Sequence, residues 1–265
     1  MPESELLRDR ERLAKAVQEA GAVAKKFFSG PLKQWTKGHG DSPVTEADIA
    51  SNDLLREHLV ESGDGWLSEE SENDPTRLAA RRVWVIDPID GTRAFIAGRE
   101  DWSVSAALVV DGRPAVAALF APATDELFLA TAGGGATRNG VAIRASSGGS
   151  LNGARVAGPK KMLDRIVAGG TGIVAMPRVH SLALRLTRVA HGELDAAVAG
   201  GNGHDWDLAA ADLLVHEAGG MMTALDGRVL VYNRPDPVHG VLLAASRDRH
   251  AALADLIRAQ TSEPV

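Results

Sequence analysis

The chain has 265 residues, 45% of them hydrophobic, enough to bury the core of one large domain or of two closely packed ones. Its net charge of -6 comes from interspersed acidic and basic residues, so no broad cationic face is offered to nucleic acid or an anionic membrane, and any phosphate must be met by a local device. The absence of cysteine removes disulfides, zinc–thiolate sites and thiol nucleophiles, and leaves the redox compartment open.

The opening MPESELLRDRERLAKAV is charged throughout and lacks the apolar core of a signal peptide. No later run approaches the roughly 18 apolar residues of a membrane span, so a soluble cytoplasmic protein is expected. Leu13, Val17, Ala20, Ala24 and Phe27 follow helical spacing until Gly30-Pro31. A second helix is predicted from Thr45 to about Val60, carrying Ile49, Leu54, Leu55 and Leu59, and its start, TEAD, is close to a capping box. From Val83 the period becomes that of strands. In WSVSAALVV, Trp102, Val104, Ala106 and Leu108 alternate with Ser103, Ser105 and Ala107, which predicts a strand with two unlike faces. Asp111-Gly112 and Asn139-Gly140 are read as hairpin turns, making the middle third an antiparallel meander.

The small, turn-forming stretch Ser146–Gly153 is the candidate boundary between two halves, 1–148 and 149–265. Beyond it the pattern predicts a strand at Ala154–Ala157, helices near Lys160–Val167 and Arg178–Ala190, and a strand LDAAVA. A helix from Asp207, a short hairpin around Asp226-Gly227, a strand GVLLAAS and a closing helix follow. This order predicts an α+β half followed by an α/β half.

The stretch VWVIDPIDGTRAF sets two aspartates three residues apart where an apolar run stops. Pro88 lacks an N–H and has a fixed φ, so a turn is expected there that aims Asp87 and Asp90 at one point. Clustered carboxylates repel each other at neutral pH unless a cation lies between them, and hard ions such as Mg2+ take oxygen ligands. The alternative is an Asx turn with solvated aspartates. Gly91 lets a ligand approach the backbone closely. Glu69 and Glu70 in WLSEESEND have a solvated acidic loop as their alternative, and Asp207 in HDWDLAAADLLVHEAGG a helix N-cap.

Taken together, SPVTEAD (Ser42–Asp48), SEES (Ser68–Ser71), DPIDGTRAF (Asp87–Phe95) and WDLAAADLLVHEAGG (Trp206–Gly220) resemble the ordered signature of the inositol monophosphatase family of magnesium-dependent, lithium-sensitive phosphatases. The resemblance implies a layered αβαβα sandwich like that of fructose-1,6-bisphosphatase, two to three Mg2+ ions and a homodimer. It implies that Glu69, Asp87 and the carbonyl of Ile89 hold one metal, that Asp87, Asp90 and Asp207 hold a second, and that a third, weaker ion shares Glu69. The Gly91 and Thr92 amides would meet the phosphate at a position bordered by Asp90 and Asp207, with Glu69, Thr92 and Asp48 as the catalytic set. In that set the Thr92 hydroxyl, backed by Asp48, would position the attacking water, and Glu70 is left without a ligand role. A two-metal site of this kind lowers the pKa of bound water and stabilises both oxygens of an in-line displacement.

Substrate choice is expected from the surroundings. Seven residues before Asp207, where inositol-specific members carry an acid that holds ring hydroxyls, this chain has Gly200. DPIDGTRAFIAG, with Arg93, looks more like the bisphosphate nucleotidase and histidinol phosphatase branches. Arg185 falls near a lysine of the nucleotidase branch and is a candidate contact for a second phosphate, against the alternative of a solvated arginine on an amphipathic helix. The ranking is a 3'(2'),5'-bisphosphate nucleotidase, then an inositol- or sugar-phosphate phosphatase, then a histidinol phosphatase. The rival from another class is a catalytically silent phospholigand-binding protein. His204 is a candidate substrate contact, or a loop histidine satisfied by backbone, and Trp206 is expected to pack beneath the metal site. GTGIVA is a weak match to a dinucleotide fingerprint, and GGGA (Gly133–Ala136) and GGNG (Gly200–Gly203) are read as turns.

Overall fold

The structure, a computed structural model, describes residues 1–28, 30–36 and 43–261. Ser42, the first residue of the SPVTEAD segment, lies outside the described residues. Helix α1 (Glu3–Phe27) buries the stripe Leu13, Ala16, Val17, Ala20 and Ala24, as its spacing predicts. An antiparallel pair, β1 (Gln34–Thr36) and β2 (Pro43–Thr45), leads into α2 (Glu46–Leu59). Helix α2 starts in a full capping box between Thr45 and Asp48.

A seven-stranded sheet follows. It comprises β3 (Gly65–Ser68), β4 (Arg82–Asp90), β5 (Ser103–Val110), β6 (Arg113–Ala121), β7 (Glu126–Thr131), β8 (Gly135–Arg138) and β9 (Val141–Ala142). β3 runs parallel to β4, and the rest is the expected meander. A short helix, α3 (Thr92–Ile96), separates β4 from β5. At Asp111-Gly112 and Asn139-Gly140 both residues have positive φ, the geometry of a tight hairpin turn that matches strand twist. The alternation in β5 has a different meaning from the one expected. Both of its faces are buried, Val104, Ala106 and Leu108 against one helical layer and Ala107 and Val109 against another. Ser103 and Ser105 meet no water; their hydroxyls bond Ser181 Oγ and the Trp206 carbonyl.

The C-terminal half contains β10 (Arg155–Ala157), α4 (Lys160–Ala168), β11 (Val174–Ala175), α5 (Leu182–Ala190) and β12 (Ala196–His204), then α6 (Asp205–Glu217), β13 (Gly220–Ala224), β14 (Val238–Ser246) and α7 (Arg247–Thr261). Its strands form a mixed sheet in the order β11-β10-β12-β14-β13. Helix α5 begins at Leu182 rather than Arg178, because Ser181 caps it by accepting from Leu184 N–H. GGNG is not a turn: it lies inside β12, where the register shifts between Gly200 and Gly203. Asp226-Gly227 turns the chain without making a hairpin, since β13 pairs with β14 instead.

Three apolar clusters define the layers. α1 and α2 cover one face of the large sheet, α5 and α6 fill the space between the two sheets, and α4 and α7 cover the far face of the small sheet. The result is the αβαβα sandwich. We propose residues 1–148 and 149–265 as halves that share this central layer rather than as separately folding domains.

Candidate active site

In a regular strand, residues three apart point to opposite faces. Asp87 opposes Ser105 and Asp90 opposes Ser103, so three steps on β4 match two on β5: one extra residue is accommodated as a bulge around Pro88-Ile89. The bulge returns both aspartates to one side. The strand therefore continues through Asp90, instead of ending in a turn after Ile86. Asp87 Oδ1 also accepts from Ile89 N–H at 3.0 Å, so the local Asx bond coexists with the clustering.

Asp207 comes from the first turn of α6. It is the third helical residue rather than the N-cap, and its carboxylate accepts from His204 N–H at 2.7 Å. Carboxylate oxygens of Asp87, Asp90 and Asp207 all lie within 4.8 Å of one another. Burial pushes Asp87 well above the usual carboxyl range, and the charges of Glu69, Asp90 and Asp207 push the same way. Burial and Asp207 raise Asp90 to about 7, against the hydrogen bonds from Ser181 and the α5 backbone. Three mutually repelling, mostly buried carboxylates form an oxygen-donor set that fits a hard divalent cation.

Glu69 follows β3 and lines the same cleft, whereas the charge of Glu70 acts on Asp48. Asp48 is buried in the capping box, where Thr45 N–H and Oγ1 donate to Oδ2 at 2.8 and 2.5 Å. Burial leads in raising it to about 6. Thr92 Oγ1 donates to the Ile89 carbonyl at 3.0 Å and lies 3.4 Å from Asp48 Oδ1, which joins the expected catalytic pair to the bulge. Gly91 has φ 94°, and a Cβ there would stand 3.1 Å from Ser181 N and 3.2 Å from the Asp101 carbonyl, so a side chain would be both strained and crowded.

Ser181 is the residue the sequence reading missed. Its hydroxyl donates to Asp90 Oδ2 at 2.5 Å while accepting from Leu184 N–H, and Ala183 N–H adds a bond to the same Asp90 oxygen at 2.6 Å. The start of α5 is thereby fastened to the acidic cluster. A serine directly before LALRL is an N-cap signal, and reading it so would have placed Arg178 and His180 ahead of the helix. There they line a cleft of about 350 Å3 with Pro43, Arg93 and the acidic residues.

Arg185 is partly buried: its Nε is buried and makes no hydrogen bond among the described residues, and it feels the charges of Asp90 and Asp207. It does not itself line the cleft. His204 stacks on Trp206, ring centroids 4.5 Å apart, and its Nδ1 stands 3.8 Å from Asp207, whose carboxylate raises the imidazole pKa.

The comparisons with known proteins agree with this geometry. The family model described as "Inositol monophosphatase family" matches residues 8–262. The inositol-1-monophosphatase of Rhizobium meliloti is 32% identical over 230 residues, covering 81% of this chain and 85% of that one. The histidinol-phosphatase of Mycobacterium tuberculosis is 36% identical over 200 residues (70% and 75%), and the 3'-phosphoadenosine 5'-phosphate phosphatase of Mycobacterium leprae 36% over 207 (72% and 73%). A Streptomyces griseus relative, 35% identical over 239 residues (83% and 90%), bears the name glucose-1-phosphate thymidylyltransferase, so the names do not converge on one substrate. Among solved structures, the extragenic suppressor protein suhB of Bartonella henselae superposes with a TM-score of 0.81 at 26% identity, covering 94% of this chain and 97% of that one. With that match, the ordered motifs and the acidic cluster in hand, the chain belongs to the inositol monophosphatase family, whose members are generally Mg2+-dependent and hydrolyse phosphomonoesters.

Proposed function

We propose that this phosphatase removes a phosphoryl group from a small metabolite carrying a second anionic group, a 3'(2'),5'-bisphosphate nucleotide ranking first. The observation that carries the proposal is the composition of one cleft: Asp87, Asp90 and Asp207 in a tight cluster, with Arg93 and Arg178 lining the same space. Acidic residues alone suit the metals, while arginines beside them suit an anion that the metals do not neutralise. Arg185 lies outside the lining of that cleft; its charge, which acts on Asp90, is proposed to favour the same end of the substrate from behind it. The name of the Mycobacterium leprae relative supports this order.

In this proposal Glu69, Asp87 and the Ile89 carbonyl hold one Mg2+, and Asp87, Asp90 and Asp207 a second, with a third ion sharing Glu69. The ions, when bound, activate water and stabilise the departing oxygen. The chain's own residues bind and orient: the Gly91 and Thr92 amides hold the phosphoryl oxygens, the Thr92 hydroxyl with Asp48 places the attacking water, and His204 borders the substrate. The homodimer, the cytoplasmic location and lithium inhibition belong to the same proposal; among the described residues, no helix is long and apolar enough to cross a membrane.

Gly200 argues against an inositol-dedicated enzyme on packing grounds. A Cβ there would stand 2.9 Å from Pro159 Cγ, so an acidic side chain cannot be added without moving Pro159. The test is relative kcat/KM at one Mg2+ concentration for adenosine 3',5'-bisphosphate, inositol 1-phosphate, histidinol phosphate and fructose 1,6-bisphosphate. The nucleotide is expected to lead, and all turnover to vanish without Mg2+. A different leading substrate overturns the ranking, and no release from any of them favours the silent binding protein.

A further inference from the structure

The segment ahead of α5 carries a polar device that the acidic cluster does not use. His180 lines the cleft, and its ring is held from behind by Asp101, whose Oδ2 accepts from His180 Nδ1 at 2.6 Å and from the His180 backbone N–H at 2.8 Å. The other Asp101 oxygen accepts from Arg99 Nε at 3.1 Å, and the Asp101 backbone carbonyl accepts from Ser181 N–H at 3.1 Å. Burial pushes the Asp101 carboxyl up, but the bonds from His180 and Arg99 more than offset it and hold the group below its ordinary value, as an anion.

A carboxylate only accepts, so the proton of a neutral His180 sits on Nδ1 and Nε2 carries the lone pair. Among the described residues no protein group bonds Nε2, and His180 is not among the side chains gathered within 4.8 Å at the acidic cluster. The ionised phosphoryl group offers acceptor oxygens alone, which an accepting nitrogen cannot satisfy. A second anion is likewise served by Arg93 and Arg178 rather than by a lone pair. The donors that remain in a phosphomonoester are hydroxyl and amino groups of its alcohol portion, and close to the ester bond of a ribose, inositol or glycerol ester that donor is a hydroxyl.

Resting on the phosphatase reading above, we propose that His180 is a specificity-determining residue. Its Nε2 accepts a hydrogen bond from a hydroxyl close to the ester bond on the leaving alcohol, and Asp101 is the positioning residue that holds the accepting tautomer. The enzyme would then favour polyol and ribose esters over simple alkyl esters.

Glycerol 2-phosphate and isopropyl phosphate differ by two hydroxyls and make a matched pair for the assay with Mg2+. The wild type is expected to favour glycerol 2-phosphate by about tenfold in kcat/KM, the size of one hydrogen bond whose loss leaves a polar group unpaired. His180→Leu should bring that ratio to about one, and Asp101→Asn should lower it as well, since an amide can donate to Nδ1 and move the ring proton to Nε2. The ratio does not depend on how much of a variant is folded; a purely structural role for Asp101 would reduce both substrates together and leave it unchanged.

A second readout needs neither metal nor turnover. Nitrogen-15 chemical shifts of His180 at about pH 8 should report the Nδ1–H tautomer in the wild type and a shift toward Nε2–H in Asp101→Asn. An unchanged ratio in His180→Leu, no preference in the wild type, or an Nε2–H wild-type ring would each overturn the inference. Absence of Mg2+-dependent release from both esters would instead overturn the phosphatase reading, and this inference with it.

Discussion

At the scale of the residue, Asp87 occupies the centre of the site: its carboxylate shares the cluster with Asp90 and Asp207 and feels Glu69 more strongly than any other charge. If it bridges the two proposed metals, Asp87→Asn removes a ligand from both at once. Turnover should fall near to background while the fold persists, because Asn keeps the volume and an acceptor for Ile89 N–H. The same substitution removes one buried, repelled charge, so without divalent cations the variant should unfold at a higher temperature than the wild type at about pH 8. Activity near that of the wild type at saturating Mg2+ would refute the shared-ligand role, and a lower metal-free unfolding temperature would refute the repulsion. Asp87 and Asp90 were legible as a pair from their spacing, Pro88 and the glycine that follows. That a bulge rather than a terminal turn brings them to one side was not, because the bulge exists only against the register of β5.

At the scale of the element, α5 does more than pack. Ser181 caps it and holds Asp90, and Ser103 from β5 bonds the same hydroxyl at 2.9 Å. Ser181→Ala should cost about 2 kcal/mol of stability from the lost cap and the buried partners left unpaired, measured by urea unfolding. It should also raise the Mg2+ concentration needed for half-maximal turnover by about tenfold, since groups that orient a ligand carry that much affinity. A normal Mg2+ dependence would show that Ser181 serves the helix alone. Helix α5 was predicted four residues too long because apolar spacing continues through Val179, and only the cap marks where helical hydrogen bonding starts. The extension of β12 through GGNG was missed for a related reason: glycines signal a turn in isolation, yet here β14 pairs with them across the shifted register.

At the scale of the whole molecule, raised carboxyl pKa values make stability depend on pH and on metal together. In the folded state Asp48 is raised to about 6, Asp90 to about 7 and Asp87 well above its ordinary value, against about 3.9 when unfolded. Between about pH 4 and pH 7 the folded protein therefore binds more protons than the unfolded chain. Its metal-free stability is complete below the unfolded value and declines as pH rises through that window, by up to about 1.4 kcal/mol per pH unit for each group. The depressed carboxyls, Asp101 and Asp195 among them, act in the opposite sense and below this window, their stabilisation being lost as pH falls. The metal-free protein should thus unfold at a higher temperature at about pH 5 than at about pH 8, and Mg2+ should restore stability at the higher pH far more than at the lower. Equal metal-free stability at the two pH values, or an equal gain from Mg2+ at both, would reject this account.

Local order was written plainly in the chain: the apolar stripe of α1, the capping box of α2, the Asp-Gly and Asn-Gly turns of the meander and the serial carboxylate motifs all depend on neighbours within a few residues. Those short-range rules sufficed for the elements and for an α+β half followed by an α/β half; the layered sandwich and the class of reaction came through the resemblance that the motifs carry. Tertiary structure alone decided which side of β4 both aspartates share, that Ser181 reaches Asp90 across 91 positions, and that Asp101 holds His180 across 79. Such pairings arise from strand register and from the closing of distant segments onto one cleft, and neither leaves a periodic trace along the chain.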